Sequence, residues 1–239
     1  MAPVSHASRH PHFRHARRPR SLFGPPLRLF AVITAIAGGY VSYVLWPRWP
    51  SAQVPVDAPA MPIVIGGVTF NIEPAAIRME IERHPGTQTR VDLSYLWPSL
   101  APPNPAAEST AKAPIGLSER LFVTIAAAGD TLPPLKRVET IYPLYLAPTA
   151  SAAPDGLTTR AFRDDTPYRG EDLIYDSAAP EKFFMRCIRK GIGNSGTCLD
   201  ERRMGGADLT LRFPRDWLTD WRRVAERFNA LLARLHPTH

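Results

Sequence analysis

Two cysteines carry the most specific chemistry in this chain. Cys187 and Cys198 are its only thiols, and they flank a glycine-rich stretch between two candidate strands. Paired strands would bring their Cα atoms within the ~4.4–6.8 Å that a disulfide requires. A metal site needs more ligands than this neighbourhood offers, and a redox dithiol has its cysteines closer in sequence. The spacing therefore predicts a structural disulfide, which an exported location would make expected.

A glycine motif lies between the two cysteines. Gly191, Gly193 and Gly196 match the GxGxxG pattern of dinucleotide-binding loops. The chemistry of that pattern requires a helix N-terminus directly after it, so that backbone amides face a pyrophosphate. Here the next residues are Thr197 and Cys198, inside the presumed hairpin. The motif therefore predicts a hairpin turn and no cofactor.

The acids and histidines form no recognisable catalytic or metal site. The densest acidic cluster lies between residues 164 and 176 and fits no calcium-binding loop spacing. His84 lies in a turn sequence, and His236 and His239 lie at the C-terminus, where a general base would lack a fixed orientation. We expect no metal, no cofactor and no catalytic residue, and hence no enzyme. A hydrolase whose two carboxylates meet only in the fold stays an alternative.

The positive charge of the chain is confined to its first residues. Residues 1–56 contain seven arginines, no lysine and no acid, and the whole chain has a formal charge of +7. The rest of the chain is therefore formally neutral. A basic block beside an apolar run usually marks membrane topology, which argues against a nucleic-acid partner.

The apolar run from Leu29 to Trp46 contains no charged residue. As a helix it would be ~27 Å long at ~1.5 Å per residue, close to the ~30 Å thickness of the hydrocarbon layer. Five arginines precede it within fifteen residues, whereas Arg48 stands alone after it. The positive-inside rule then predicts one membrane span with a cytoplasmic N-terminus. A cleavable signal peptide is the alternative, but no good cleavage site follows closely.

Small residues recur along this apolar run. Ala35 and Gly39 lie one turn apart, as do Gly38 and Ser42. Such spacing lets two helices approach closely in lipid and predicts a contact with a partner's helix. The alternative is that glycine and alanine are simply common in membrane helices. The predicted organisation is a disordered basic tail at 1–28, a transmembrane helix at 29–46, a proline-rich stalk at 47–62 and a periplasmic domain at 63–239.

The period of the apolar residues predicts the fold of that domain. Apolar and polar residues alternate at 68–72, 91–95 and 208–213, residues 120–127 read as a buried strand, and residues 77–82 alternate as a strand or a helix. Prolines at 98–114 and 143–154 indicate irregular stretches. After Asp216 the apolar residues recur at helical spacing. The fold class is therefore α+β, an antiparallel β-sheet covered by a C-terminal amphipathic helix.

Two segments carry a resemblance to known sequences. Residues 68–74, Val-Thr-Phe-Asn-Ile-Glu-Pro, and residues 95–100, Tyr-Leu-Trp-Pro-Ser-Leu, are similar to segments of small single-pass envelope proteins of proteobacteria. The resemblance implies an inner-membrane location and transfers no functional residue. The sequence as a whole favours an accessory or interaction subunit of an envelope complex, with a protein partner. A periplasmic domain that senses or binds a small ligand is the alternative.

Overall fold

The computed structural model describes residues 25–45, 54–104, 116–191 and 196–237. They belong to two compact units divided between Trp49 and Pro50. The first unit contains helix α1 (Pro25–Leu45), whose described side chains, from Arg28 to Val44, are all exposed. Most of the predicted basic tail, the beginning of the predicted stalk and the middle of the glycine motif lie outside the described residues.

Helix α1 does not support the predicted membrane span. Within the described parts of the chain, no helix combines the length and the apolar character needed to cross a membrane. The predicted contact residues Ala35, Gly38, Gly39 and Ser42 lie on α1. A Cβ atom added to Gly38 or Gly39 would meet no atom within 4 Å in the structure. The helix–helix contact stays a prediction.

The second unit begins with a small three-stranded sheet in the order β2-β1-β3. Its strands are β1 (Met61–Ile65), β2 (Val68–Ile72) and β3 (Gly86–Thr87). Gly66 and Gly67 form the β1–β2 turn with φ values of 57° and 79°, which other residues rarely adopt. A Cβ atom on Gly66 would lie 1.8 Å from the Gly206 oxygen, so the tip of this hairpin needs glycine.

The large sheet has eight antiparallel strands in the order β4-β5-β11-β10-β9-β8-β7-β6. Helix α2 (Pro134–Thr140) lies between β5 and β6 in the chain. Strands β6 to β11 form a continuous meander, and β11 then pairs with β5. The strands are β4 (Arg90–Leu96), β5 (Arg120–Ala127), β6 (Leu146–Ala152), β7 (Leu157–Phe162), β8 (Glu171–Asp176), β9 (Phe184–Ile188), β10 (Thr197–Met204) and β11 (Ala207–Pro214).

Helix α3 (Trp221–Leu235) closes the main core. Its buried residues recur every three or four positions, and the Phe228 ring meets the Phe213 ring edge-on at 5.1 Å. Residues Arg215–Asp220 form a 3₁₀ turn, so the α-helix begins slightly later than the sequence pattern indicates. The predicted antiparallel sheet with a C-terminal helix is confirmed.

A smaller apolar cluster lies away from the main core. Its buried members are Tyr142, Leu146, Phe162 and Leu173, with α2 residues such as Val138 packed against them. Leu173 and Ile174 are neighbours on β8, but Ile174 belongs to the main core. Because successive strand residues point to opposite faces, the β8 region of the sheet is packed on both sides.

Candidate partner-binding site

The predicted disulfide between Cys187 and Cys198 is present. The two residues lie directly opposite each other on β9 and β10, with Cα atoms 4.0 Å apart, and both are fully buried. Besides this pair, the β9–β10 ladder contains only the pair Leu199 and Arg186. The bond therefore crosses the shortest ladder of the large sheet, which joins strands β6–β9 to strands β10, β11, β5 and β4.

Several charged residues of the described ranges form ion pairs with one another. No three histidine, cysteine, aspartate or glutamate side chains there lie close enough to hold a metal ion. In the acidic cluster, Asp165 pairs with Arg163 at 3.3 Å, whereas Asp172 pairs with Arg189 at 2.9 Å. His84 contacts only the adjacent Pro85 oxygen through Nδ1.

One edge of the large sheet is covered by the chain itself. The amide of Asp92 on β4 donates to Glu82 Oε2 at 2.8 Å, and the amide of Arg78 donates to the Asp92 oxygen at 2.9 Å. Further along β4, the amide of Leu96 donates to the Ala101 oxygen, and the Leu96 oxygen accepts from Leu100. Both ends of this edge are therefore hydrogen-bonded, and an incoming strand would find those groups occupied.

The pKa values of the two carboxyl groups at the β4 edge, Glu82 and Asp92, are shifted in opposite directions. Partial burial raises the pKa of Glu82, against the lowering effect of the Asp92 amide bonded to it. Partial burial acts in the same upward sense on Asp92. The bonds from Arg90 and Thr124 outweigh it, however, and lower the pKa of the Asp92 carboxyl. Arg90 binds Asp92 through two nitrogens, each at 3.0 Å.

The opposite edge, β6, is open over its C-terminal half. The Ala153 amide donates to the Leu157 oxygen at 2.8 Å, and Ser151 lies opposite Thr159 on β7. Paired and outward-facing residues alternate in an antiparallel ladder, so the backbone groups of Ala150 and Ala152 point away from β7. Residues 148–152 are all exposed. With respect to the residues that the structure describes, two amides and two carbonyls are thus available to a further strand.

The N-terminal half of β6 is protected, in contrast. The ladder with β7 is irregular between Leu146 and Ala150, and Pro148 has no amide to donate. The guanidinium of Arg160 donates twice to the Ala147 oxygen, at 3.2 and 2.7 Å. No charged residue occurs in β6, although charges commonly guard exposed edges. The open edge is therefore confined to residues 150–152.

The sequence did not identify this edge. Residues 143–154 were expected to be irregular because of their prolines, yet they contain β6. One signal was present: Pro154, Asp155 and Gly156 form the turn to β7, with Asp155 and Gly156 at φ values of 53° and 83°. A proline–aspartate–glycine turn before a strand is typical of a hairpin, and it implies a strand on its other side.

Comparisons with known proteins show a fold rather than a family. No protein-family model matches the sequence, and no curated protein does so either. A solved structure of Smlt3025, an immunity protein of the Stenotrophomonas maltophilia type IV secretion system, is similar with a TM-score of 0.52 at 16% identity, covering 74% of this chain and 93% of that one. The Neisseria meningitidis iron-regulated outer membrane lipoprotein FrpD gives a TM-score of 0.43 at 10% identity, covering 75% and 98%. At these identities, the first similarity shows a common fold alone.

Proposed function

We propose that this chain is a non-catalytic binding protein of the bacterial envelope, an accessory subunit that receives a strand of a partner protein at β6. One observation carries the proposal. The backbone groups of Ala150 and Ala152 lie on an exposed, uncharged edge, whereas the β4 edge of the same sheet is covered. An open edge invites unwanted pairing, and strand addition by a specific partner is its common use in binding proteins.

The proposed location is the periplasm. A buried disulfide supports an oxidising compartment, because thiols in the cytoplasm are kept reduced. The fold similarity to an immunity protein of a secretion system is consistent with an accessory role in the envelope. An in-cell test is alkylation of intact cells: protection of Cys187 and Cys198 from a thiol reagent supports the location, and free thiols would contradict it.

The proposed function is tested by crosslinking at defined positions in cells. A photo-reactive amino acid replaces Thr149 on β6 in the full chain, and Ile81 at the covered β4 edge in a matched control. Both residues are exposed. We expect a discrete adduct with one protein from position 149 and none from position 81, because, of the two edges of the large sheet, described residues cover β4 and leave residues 150–152 of β6 open.

A second pair of variants distinguishes strand addition from non-specific binding to the same surface. Ala150→Pro removes an outward amide without removing a bond to β7, so the adduct should disappear. Ala150→Thr keeps the amide and should keep the adduct. An adduct that persists in the proline variant, or that forms equally from position 81, would exclude strand addition at β6.

A second candidate function is the binding of a small apolar ligand. A groove of about 350 Å³ lies between α2 and the β7–β8 region, and its walls include Val138, Leu173 and Tyr175. Such apolar grooves are common ligand sites. A compound that raises the melting temperature of the full chain, but not that of a Val138→Arg variant, would support this function.

A further inference from the structure

A second groove, of about 520 Å³, lies between the core-facing side of β6–β8 and the 3₁₀ turn Arg215–Asp220. Its floor consists of side chains from three adjacent strands: Ser151 of β6, Thr159 and Ala161 of β7, and Asp172 and Ile174 of β8. Thr159 lies opposite both Ser151 and Ile174, and Ala161 lies opposite Asp172. Residues opposite each other share a face, and Ile174 belongs to the main core, so the floor is one continuous strip of that side.

The groove is charged at one end only. From β6 to β8 the floor extends over two strand spacings, about 10 Å. At the β6 end and in the middle its lining is uncharged, with Ser151, Thr159 and Ala161 on the floor and Leu218 in the wall. The charged residues of the lining lie together at the β8 end, where they pair with one another: Asp172, Arg189, Lys190, Arg215 and Asp216.

The charged end is organised around one buried carboxylate. Asp172 accepts from Arg189 Nε at 2.9 Å and lies 2.7 Å from Arg215 Nη1. One negative charge thus holds two guanidinium groups. At the rim, Lys190 pairs with Asp216 and is neutralised by it. Asp164 approaches Arg189 at 3.8 Å, but its side chain is 79% exposed, so solvent weakens its effect. This end of the groove therefore keeps a positive excess.

The two arginines are not equivalent. Arg189 also donates to the backbone oxygens of Phe162 and Glu171, so its donors are largely used inside the fold. Among the described residues, the side chain of Arg215 bonds only to Asp172, through Nη1. Its backbone is fixed as well, because its amide donates to the Gly196 oxygen at 3.2 Å. Arg215 is therefore held in position at the groove with donors left over.

We propose that this groove binds a small organic acid, with the carboxylate at Arg215 and a slender, largely apolar body that extends over Ala161 towards β6. The site goes beyond the proposed function and needs no partner strand, since the ligand lies within the groove itself. A carboxylate balances the positive charge that Asp172 leaves uncompensated, and the free donors of a fixed guanidinium suit its oxygens. The uncharged remainder of the floor offers nothing to a second charge, so the ligand is a monocarboxylate.

The test is an NMR titration of the ¹⁵N-labelled full chain with hexanoate and, separately, with hexanamide. The two probes have the same body, and only hexanoate is charged. We expect hexanoate to shift the amide signals of Thr159, Ala161 and Arg215, and to bind about tenfold or more tightly than hexanamide, because hydrogen bonds to charged groups are the strong ones. Residue-resolved shifts also distinguish this groove from the basic N-terminal residues and from the groove at Val138.

Variants locate the carboxylate. Arg215→Gln should weaken hexanoate binding about tenfold and leave hexanamide unaffected, while Asp172 keeps its pair with Arg189. Arg215→Lys keeps the charge beside Asp172 and serves if the glutamine variant does not fold. Because it lacks the guanidinium fork, its preference for hexanoate should still fall. Ala161→Phe fills the floor without a change of charge and should abolish binding of both probes. Arg227→Gln, at an exposed position of α3, is the matched control and should bind like the wild type.

Each remaining outcome would overturn the inference. Equal affinity for hexanoate and hexanamide would exclude a carboxylate site, and an unchanged preference for hexanoate in both Arg215 variants would exclude Arg215. Shifts confined to the neighbourhood of Val138 and Tyr175 would assign the probe to the other groove. No shift at Thr159, Ala161 or Arg215 by about 20 mM hexanoate would exclude the site, since a fitted groove binds a ligand of this size more tightly than that. None of these results bears on strand addition at β6, which the crosslinking experiment tests separately.

Discussion

The two edge strands of the large sheet are equally long, but they differ in how far other segments of the chain cover them. β4 and β6 each contain seven residues. At β4, the segment from Arg78 to Glu82 and the turn at Leu100 bond to the outward groups of Asp92 and Leu96. At β6, only the N-terminal half is protected, and residues 150–152 are exposed. The two edges belong to the same sheet, so β6 is open because of its own sequence and the segments connected to it.

The covered edge shows what such protection requires. Residues Glu80–Glu82 form a 3₁₀ turn that brings the Glu82 carboxylate to the Asp92 amide. Met79 and Ile81 remain about half exposed there, at 52% and 48%. A carboxylate cap and a short antiparallel bridge between Ile77 and Leu93 thus cover this edge. The absence of any charged residue in β6 is then the more informative feature.

The largest expected effect comes from breaking the connection between the two edges. Replacing Cys187 and Cys198 together by serine should lower the free energy of unfolding by roughly 3 kcal/mol, because the bond closes a short loop in the unfolded chain. Since the β9–β10 ladder is short, amide exchange should accelerate more in β6–β8 than in β4–β5. Urea unfolding measures the change in the free energy of unfolding, and hydrogen exchange measures the change in local stability. Equal acceleration in β6–β8 and β4–β5 would contradict a weak connection at the β9–β10 ladder.

Hydrogen exchange of the unmodified protein compares the edges directly. The amides of Asp92 and Leu96 should exchange on the order of 100-fold or more slowly than the amides of Ala150 and Ala152, because only the first two have partners. Residue-resolved NMR exchange gives all four rates in one experiment. The Ala153 amide, bonded to Leu157, is an internal control that should be protected. Slow exchange at Ala150 would mean that β6 is covered.

Removing the cap of β4 should make the covered edge resemble the open one. Glu82→Ala leaves the Asp92 amide without its carboxylate partner and should cost about 1–2 kcal/mol in the free energy of unfolding. Self-association should increase with concentration in sedimentation experiments, because a second edge becomes available. Glu80→Ala, at an exposed neighbouring position, should change neither quantity. A monomeric Glu82→Ala protein of wild-type stability would show that the cap is unimportant.

The smallest effect is a pH dependence of the same cap. Burial raises the pKa of Glu82 in the folded chain, so this group contributes stability at low pH that is lost as the pH rises through the folded pKa. Glu82→Gln does not titrate. Its free energy of unfolding should therefore rise relative to that of the wild type as the pH rises above the ordinary glutamate pKa.

Asp92 is the matched control for that pH series. Its pKa is lowered in the folded chain, so its contribution is present above the ordinary carboxyl pKa and is lost as the pH falls through the folded value. The wild type should accordingly lose its advantage over Asp92→Asn on acidification. Parallel pH profiles for the wild type and both variants would contradict the opposite assignments.

Regular periodicity made much of the fold predictable. Alternating residues identified β2, β4 and β11, and the helical spacing after Asp216 identified α3, because each of these elements buries one face in the main core. The disulfide followed from two cysteines on adjacent strands. The strand order was not predictable, since the pairing of β5 with β11 depends on contacts between distant parts of the chain.

The candidate site was harder to predict than the core. β6 buries only Leu146, so it carries no alternating pattern, and its proline obscured the strand. A groove beside β6 combines Ser151, Arg189 and Arg215 from three separate segments, and no local spacing connects them. The alternation at residues 77–81 was visible, but Met79 and Ile81 cover an edge instead of entering the core.

The pairing of β5 with β11 also has a consequence for how the protein is made. The β4–β5 pair is synthesised early, yet the other side of β5 finds its partner only when β11, the last strand among the described residues, has been completed. Until then β5 presents a bare, apolar edge, and closing it requires a long loop, which is slow. A nascent chain of this protein should therefore depend on a chaperone for most of its synthesis, and a truncation before residue 207 should be degraded rather than fold.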